Sequence, residues 1–287
     1  MLTQILLTSV LLPLVLGIVI ALAGQGASSR GILLTVLLIP VAGAIASVSI
    51  EGFPPFPPIA AKQKLPLLLL IGGVVFAILG LLLRQFLNRW IIALVGVVSL
   101  TAPAWWLGKN VLAANATKAM TLAVVLVIVA VEIAAVSGRR AQKQSPAALP
   151  AALLATAIGT ALSAIMGGYI GMAQMNGALA ALFGGWLLVR YIAYIMGDDE
   201  AFDLQGLAGL SFIWTAAMGV MMTVLLSPSA TPAALLLSVL PVAVFAVLRV
   251  RNVDFIKQPR FLRPLIIGAL TAIPAIAAIA IAVLAGG

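Results

Sequence analysis

The chain alternates between long apolar runs and short polar breaks. Ten runs lie near residues 3–24, 31–49, 65–83, 90–107, 118–137, 147–171, 176–195, 207–227, 231–249 and 263–285. A helix needs about 20 predominantly apolar residues to cross the hydrocarbon of a bilayer, and most of the runs are near that length. The breaks carry turn chemistry: Gly24-Gln25-Gly26, Gly52 with Pro54 and Pro55, Gly108, Gly138, Ser227-Pro228 and Pro259. The pattern predicts an all-α integral membrane protein of about ten transmembrane helices, nine or eleven if runs merge or split.

The polar stretch from Gly138 to Pro146 falls near the middle of the chain. It reads as a cytoplasmic linker (138–146) between a first five-helix half (1–137) and a second (147–287). Five crossings in the first half start the second from the opposite side of the membrane, which is the geometry of an inverted repeat. One short echo fits it: Lys109-Asn110-Val111 with Lys118 recurs as Arg251-Asn252-Val253 with Arg260, at the same internal spacing.

Composition changes the picture in two ways. Hydrophobic residues fill 64% of 287 positions and charged residues only 8%, too few to clothe a soluble core of this size. The lipid bilayer is therefore the expected surroundings. The chain has no cysteine and no histidine, which excludes disulfides, thiolate and imidazole metal sites, axial haem histidines and every His-dependent triad. No cofactor is implied.

The net charge of +9 does not point to nucleic acid, because the basic residues stand singly or in small groups between apolar runs. Odd-numbered connections carry Arg30, Arg84, Arg89, Arg139, Arg140, Lys143, Arg190, Arg249, Arg251, Lys257, Arg260 and Arg263; even-numbered ones carry only Lys62, Lys64, Lys109 and Lys118. The positive-inside rule then puts the odd connections in the cytoplasm and both termini outside, in the periplasm if the membrane is a bacterial inner membrane. Trp90 and Trp105-Trp106 fall at opposite ends of the fourth run, where interfacial aromatics belong. Ala21-Leu22-Ala23 resembles a cleavage triplet, but Met1-Leu2-Thr3-Gln4 lacks a basic leader, so the first run is read as a span.

Candidate chemistry concentrates between Ser163 and Asp203. Ser163, Gly167 and Gly171 are four apart and would line one helix face, with Gly184 and Gly185 on the next span. Small residues let backbones approach closely, so this is expected to be a tight helical hairpin or a broken helix lining a cavity. Gln174 and Asn176 would close its outer turn and cap the seventh helix. Glu132 is the one acid well inside an apolar run, where charges are costly and functional by default; it is expected either to pair with Arg139 or Arg140 at the inner surface or to relay a proton or cation. Gln174, Asn176, Glu132 and Arg190 together mark a substrate path. The loop Glu51-Gly-Phe53-Pro54-Pro55-Phe56-Pro57-Pro58 is pre-extended by its prolines and reads as an outer plug, a docking strip for a partner protein, or a rigid turn dipping into lipid. Met218, Met221 and Met222 read as packing filler.

Asp198-Asp199-Glu200-Ala-Phe-Asp203 gathers four of the seven acids. Asp199 and Asp203 would share a face if a helix runs through them. This motif resembles the aspartate-rich motif of membrane prenyltransferases of the UbiA type, over these six residues only. The resemblance implies Mg²⁺ held by Asp199 and Asp203 against a lipid phosphate. That family carries a second aspartate-rich motif in its other half, where this chain offers only Glu51. The ten short-looped spans in two balanced halves also resemble the architecture of the drug/metabolite transporter group, without a shared residue motif and with termini expected on the other side. Three functions follow: a small-molecule permease, which leads; a membrane subunit or scaffold that docks a partner or a second copy; and a Mg²⁺-dependent lipid-phosphate enzyme. No residue is assigned a catalytic role.

Overall fold

The computed structural model describes residues 2–24, 29–82, 89–136, 147–204, 206–250 and 259–286. The central linker 138–146, with Arg139 and Arg140, lies outside them. A first rod is made by α1 (Leu2–Leu6), a π-helical turn (Leu7–Leu11) and α2 (Leu12–Ala23). Then come α3 (Ser29–Glu51), α4 (Ala61–Leu82), α5 (Arg89–Ala114), α6 (Ala116–Val136), α7 (Ala148–Met166), α8 (Ile170–Ile195) and α9 (Leu207–Leu226). A broken pair, α10 (Pro232–Val239) and α11 (Pro241–Val250), precedes the last helix, α12 (Leu262–Gly286). Among the described residues nine helices are long and apolar enough to cross a bilayer. The α10–α11 pair completes the ten runs read from the sequence.

Helix α9 is the axis of the bundle. Every residue from Leu207 to Leu225 is buried. A helix that is apolar all round must be enclosed by protein or lipid, and α3 to α8 pack around this one. Thr215 and Thr223 donate back to carbonyls of their own helix, and two other polar side chains reach neighbours. The Ser211 hydroxyl donates to the Val36 carbonyl of α3 at 2.7 Å, and the Trp214 indole N–H donates to the Ser99 carbonyl of α5 at 3.1 Å.

Those two acceptors are not arbitrary. Proline at position i leaves the carbonyl at i−4 without its helical donor. Pro40 lies inside α3 and Pro103 inside α5, so the orphaned carbonyls are those of Val36 and Ser99. In hydrocarbon, an unpaired backbone group must find a partner within the protein, and α9 supplies both. We expect Ser211→Ala to cost about 1–3 kcal/mol, the desolvation penalty of a lost buried partner. The cost should shrink in a Pro40→Ala background, where the helix can satisfy Val36 itself. Reversible unfolding in mixed micelles reads the coupling; additive effects would remove this account.

At Pro241 the same residue type has the opposite outcome. The chain tightens, and the Leu240 N–H closes a three-residue turn onto the Leu237 carbonyl at 3.2 Å. The helix restarts with Pro241 in its first turn, where a missing N–H costs nothing. The break falls about 12 Å from the start of α10, by helical rise from Pro232.

Among the described glycines, the tightest contacts with the backbone of another helix join the first rod to α8. A Cβ on Gly17 would land on the Leu182 carbonyl, and one on Gly185 would land on the Leu14 carbonyl. Gly184, by contrast, meets only the Leu154 side chain at 3.8 Å.

The turn between α7 and α8 lies earlier than the sequence suggests. Helix α7 ends at Met166 and α8 begins at Ile170, so Ser163, Gly167 and Gly171 do not share one helix face. Gly168 turns the chain at φ +77°. Gly167 is pressed against the Ala230 backbone, leaving 2.8 Å between a Cβ there and Ala230 Cα. Gly171 faces the Glu51 carboxylate instead, 2.6 Å from a would-be Cβ. The hairpin does pack tightly, but the glycines serve different contacts.

Candidate functional site

Two ends of the bundle can be told apart by their contacts. One carries Arg190, Arg260 and loop residues 196–204, and is called the acidic-loop end below. The other carries the proline loop, Lys118 and Ser227 to Ser229, and is called the proline-loop end.

Glu132 lies four residues before the end of α6 and is 2% exposed. It does not snorkel. Its carboxyl accepts the backbone N–H of Ala243, in the first turn of α11. The break at Pro241 therefore frees amide donors inside the bundle, and the one intrahelical acid read from the sequence sits on them. A helix N-terminus carries partial positive charge and unpaired N–H groups, which favour an anion. The Oε1 atom has no hydrogen-bond partner among the described residues. Arg139 and Arg140, its expected partners, lie outside those residues. Around the same broken pair, Thr160 donates to the Thr156 carbonyl at 2.8 Å, and its Oγ1 lies 3.1 Å from Ser238 Oγ, joining α7 to α10. Thr156 Oγ1 and Ser163 Oγ are buried without a partner among the described residues.

Arg190 is the second buried charge. It is 7% exposed, its Nη2 donates to the Gly24 carbonyl at the end of α2 at 2.6 Å, and its guanidinium lies 5.5 Å from the Trp186 ring. Both Arg190 Nε and Trp186 Nε1 are buried without a partner among the described residues. They line a cavity of about 150 Å³ with Thr35, Asp198, Glu200 and Asp203. The acidic loop closes over this cavity rather than continuing a helix. Since α8 ends at Ile195 and α9 starts at Leu207, Asp199 and Asp203 share no helix face. Asp199 pairs with Arg260 at 2.9 Å, and Asp203 lines the cavity. Among the described residues no three acidic, histidine or cysteine side chains gather to hold a metal ion.

At the proline-loop end, Lys118 caps α9. Its Nζ donates to the Leu225 and Ser227 carbonyls at 3.1 and 2.9 Å. A polar cavity of about 310 Å³ opens beside it, lined by Asn115, Ser229 and Thr231 among others. A larger groove of about 660 Å³ runs between α7, α8 and α12; its apolar lining, rich in Ala and Gly, suits the side of a helical bundle in lipid.

The four expected path residues are not brought together. Gln174 and Asn176 lie inside α8 rather than in a turn. Asn176 is buried and donates to the Met172 carbonyl at 2.8 Å and to Thr223 Oγ1 of α9 at 2.9 Å, so it is a strut between helices. Glu132 belongs with α11, and Arg190 with α2. The proline loop stands clear of the bundle: Phe53 is 91% exposed and Phe56 93%. Its base is closed by Glu51 and Lys62 at 2.6 Å, and Gln63 Oε1 accepts the N–H groups of Ile59 and Ala60. Sequence reasoning missed Trp186, Gly17 and the Pro241 break. The proline within the ninth run was the one readable signal of the three.

No protein-family model matches the chain, and no curated protein or solved structure shows significant similarity to it. The class defined by fold and composition is a polytopic α-helical membrane protein.

Proposed function

We propose that the chain is a proton-coupled permease for small polar solutes. The observation that carries the proposal is the discontinuous crossing α10–α11 with the buried Glu132 carboxyl on its freed amide. Interrupted helices inside a bundle expose backbone dipoles to an internal site. An ionisable side chain at that point can exchange a proton as the site alternates between the two faces. The cavity at Arg190, open at one end, is where such a solute would enter or leave. The purified chain in liposomes with a trapped pH dye tests this: under an inward proton gradient, one class within a panel of amino acids, amines, carboxylates and sugars should acidify the lumen. A folded, correctly inserted protein that moves no protons with any of them overturns the reading.

A second reading is a docking subunit, favoured by the exposure of Phe53 and Phe56 on a loop with a fixed base. Exposed aromatics on a pre-extended segment are good interface anchors. The Phe53→Ala/Phe56→Ala pair should weaken capture of a partner, or of a second copy, by about tenfold or more. Unchanged capture and assembly would end this reading. The enzyme reading has no comparable support, since Asp199 is committed to Arg260.

A further inference from the structure

The cavity at the acidic-loop end has a polarity of its own. Its floor is cationic and donor-rich. Arg190 spends Nη2 on the Gly24 carbonyl, while its Nε–H and the Trp186 indole N–H are buried without a partner among the described residues, and both side chains line the cavity. Both side chains are more than nine-tenths buried. Arg190 makes no ion pair among the described residues; Asp198 acts on it only through space. Thr35 spends its hydroxyl on the Gly31 carbonyl at 3.0 Å and adds no further donor. The mouth is anionic. Asp198, Glu200 and Asp203 line it from an exposed loop, and Asp198 Oδ1 accepts the Glu200 N–H at 3.0 Å, which fixes the loop's shape.

Unpaired buried N–H donors are costly, more so beside a charge, so the floor is complementary to an anionic group. A carboxylate accepts from a guanidinium and an indole at once, with charge-assisted bonds. A simple anion must pass three carboxylates to reach it. A simple cation meets Arg190 at the bottom. A solute with a carboxylate at one end and an ammonium at the other satisfies both ends. A cavity of about 150 Å³ admits only a small solute.

We propose that this cavity binds a small zwitterion of the α-amino acid kind, alanine-sized, with its carboxylate on Arg190 and Trp186 and its ammonium toward Asp198 and Glu200. The proposal rests on the permease reading for its role in transport, but binding itself can be measured without transport. In nanodiscs, radiolabelled alanine should bind the full chain, and unlabelled propionate and ethylamine, each lacking one end, should compete at least about tenfold more weakly. Trp186→Phe keeps an aromatic ring, though a smaller one, and removes the N–H; it should weaken alanine and propionate together, severalfold. Asp198→Asn with Glu200→Gln, on an exposed loop, should weaken alanine by about tenfold and leave propionate equal or tighter. Propionate binding as well as alanine, ethylamine binding as well as alanine, no alanine binding at all, or mouth variants without effect on alanine each overturn the proposal. If alanine binds as stated but drives no proton movement, the permease reading fails and the site stands. If another solute class drives proton movement and alanine does not bind, the site assignment fails and the permease reading stands.

Discussion

Gly185→Ala is expected to destabilise the bundle by about 3 kcal/mol, and Gly185→Leu to prevent its stable assembly. An added methyl at Gly185 lands on the Leu14 carbonyl and comes within 3.2 Å of the Ile18 nitrogen. These are backbone atoms of a packed helix, so no side chain can rotate away. Overpacking ordinarily costs about 1–3 kcal/mol, and the backbone contact puts this site at the top of that range. Gly17 is the reciprocal partner, its own Cβ aimed at the Leu182 carbonyl. The double variant Gly17→Ala/Gly185→Ala should therefore cost less than the sum of its parts, because the first displacement makes room for the second. Gly184→Ala is the internal control. Its nearest neighbour is 3.8 Å away, so the change should be neutral or slightly stabilising, as Gly-to-Ala changes inside helices are. Thermal unfolding in detergent distinguishes the two adjacent positions. Equal responses would show that no close crossing of α2 and α8 governs stability.

This contrast also locates what can be read from the chain and what cannot. The crossings are legible because each must satisfy the bilayer on its own: length and apolarity are local properties. Glu132 is legible as a candidate for the same reason, since one acid in an apolar run has no local excuse. Partners are not local. Gly184 and Gly185 look equivalent in the sequence, and only the first rod, more than half the chain away, makes one of them indispensable. Pro40, Pro103 and Pro241 look equivalent as well. At the first two the helix continues and Ser211 and Trp214 meet the freed carbonyls, whereas at Pro241 the Leu240 N–H takes the Leu237 carbonyl and the helix ends. The amides Gln174 and Asn176 read as turn residues because amides favour turns. They lie within α8, and Asn176 meets Thr223 of α9. The acidic motif suggested a helical pair of ligands, but Gly197 turns the chain at φ +116° just before it.

Glu132→Gln is expected to abolish concentrative uptake, lowering uptake driven by a pH gradient by about tenfold or more, while exchange of labelled for unlabelled solute across the same liposomes continues. Glutamine keeps the length and shape of the side chain, and its carbonyl oxygen can still accept the Ala243 N–H. What it loses is the exchangeable proton. If that proton is the coupling ion, the protein can still alternate when loaded with solute on both sides, so exchange survives, but the gradient no longer has a handle on the cycle. The amide also brings an N–H₂ group to the place where Oε1 has no partner among the described residues, so folding must be checked by thermal unfolding before uptake is compared. Glu132→Asp supplies the complementary arm. It retains titration but shortens the reach toward α11 by one methylene, so coupling should persist at a reduced rate. Uptake by Glu132→Gln that still follows the pH gradient would make Glu132 a structural cap of α11 and leave the coupling reading without its group.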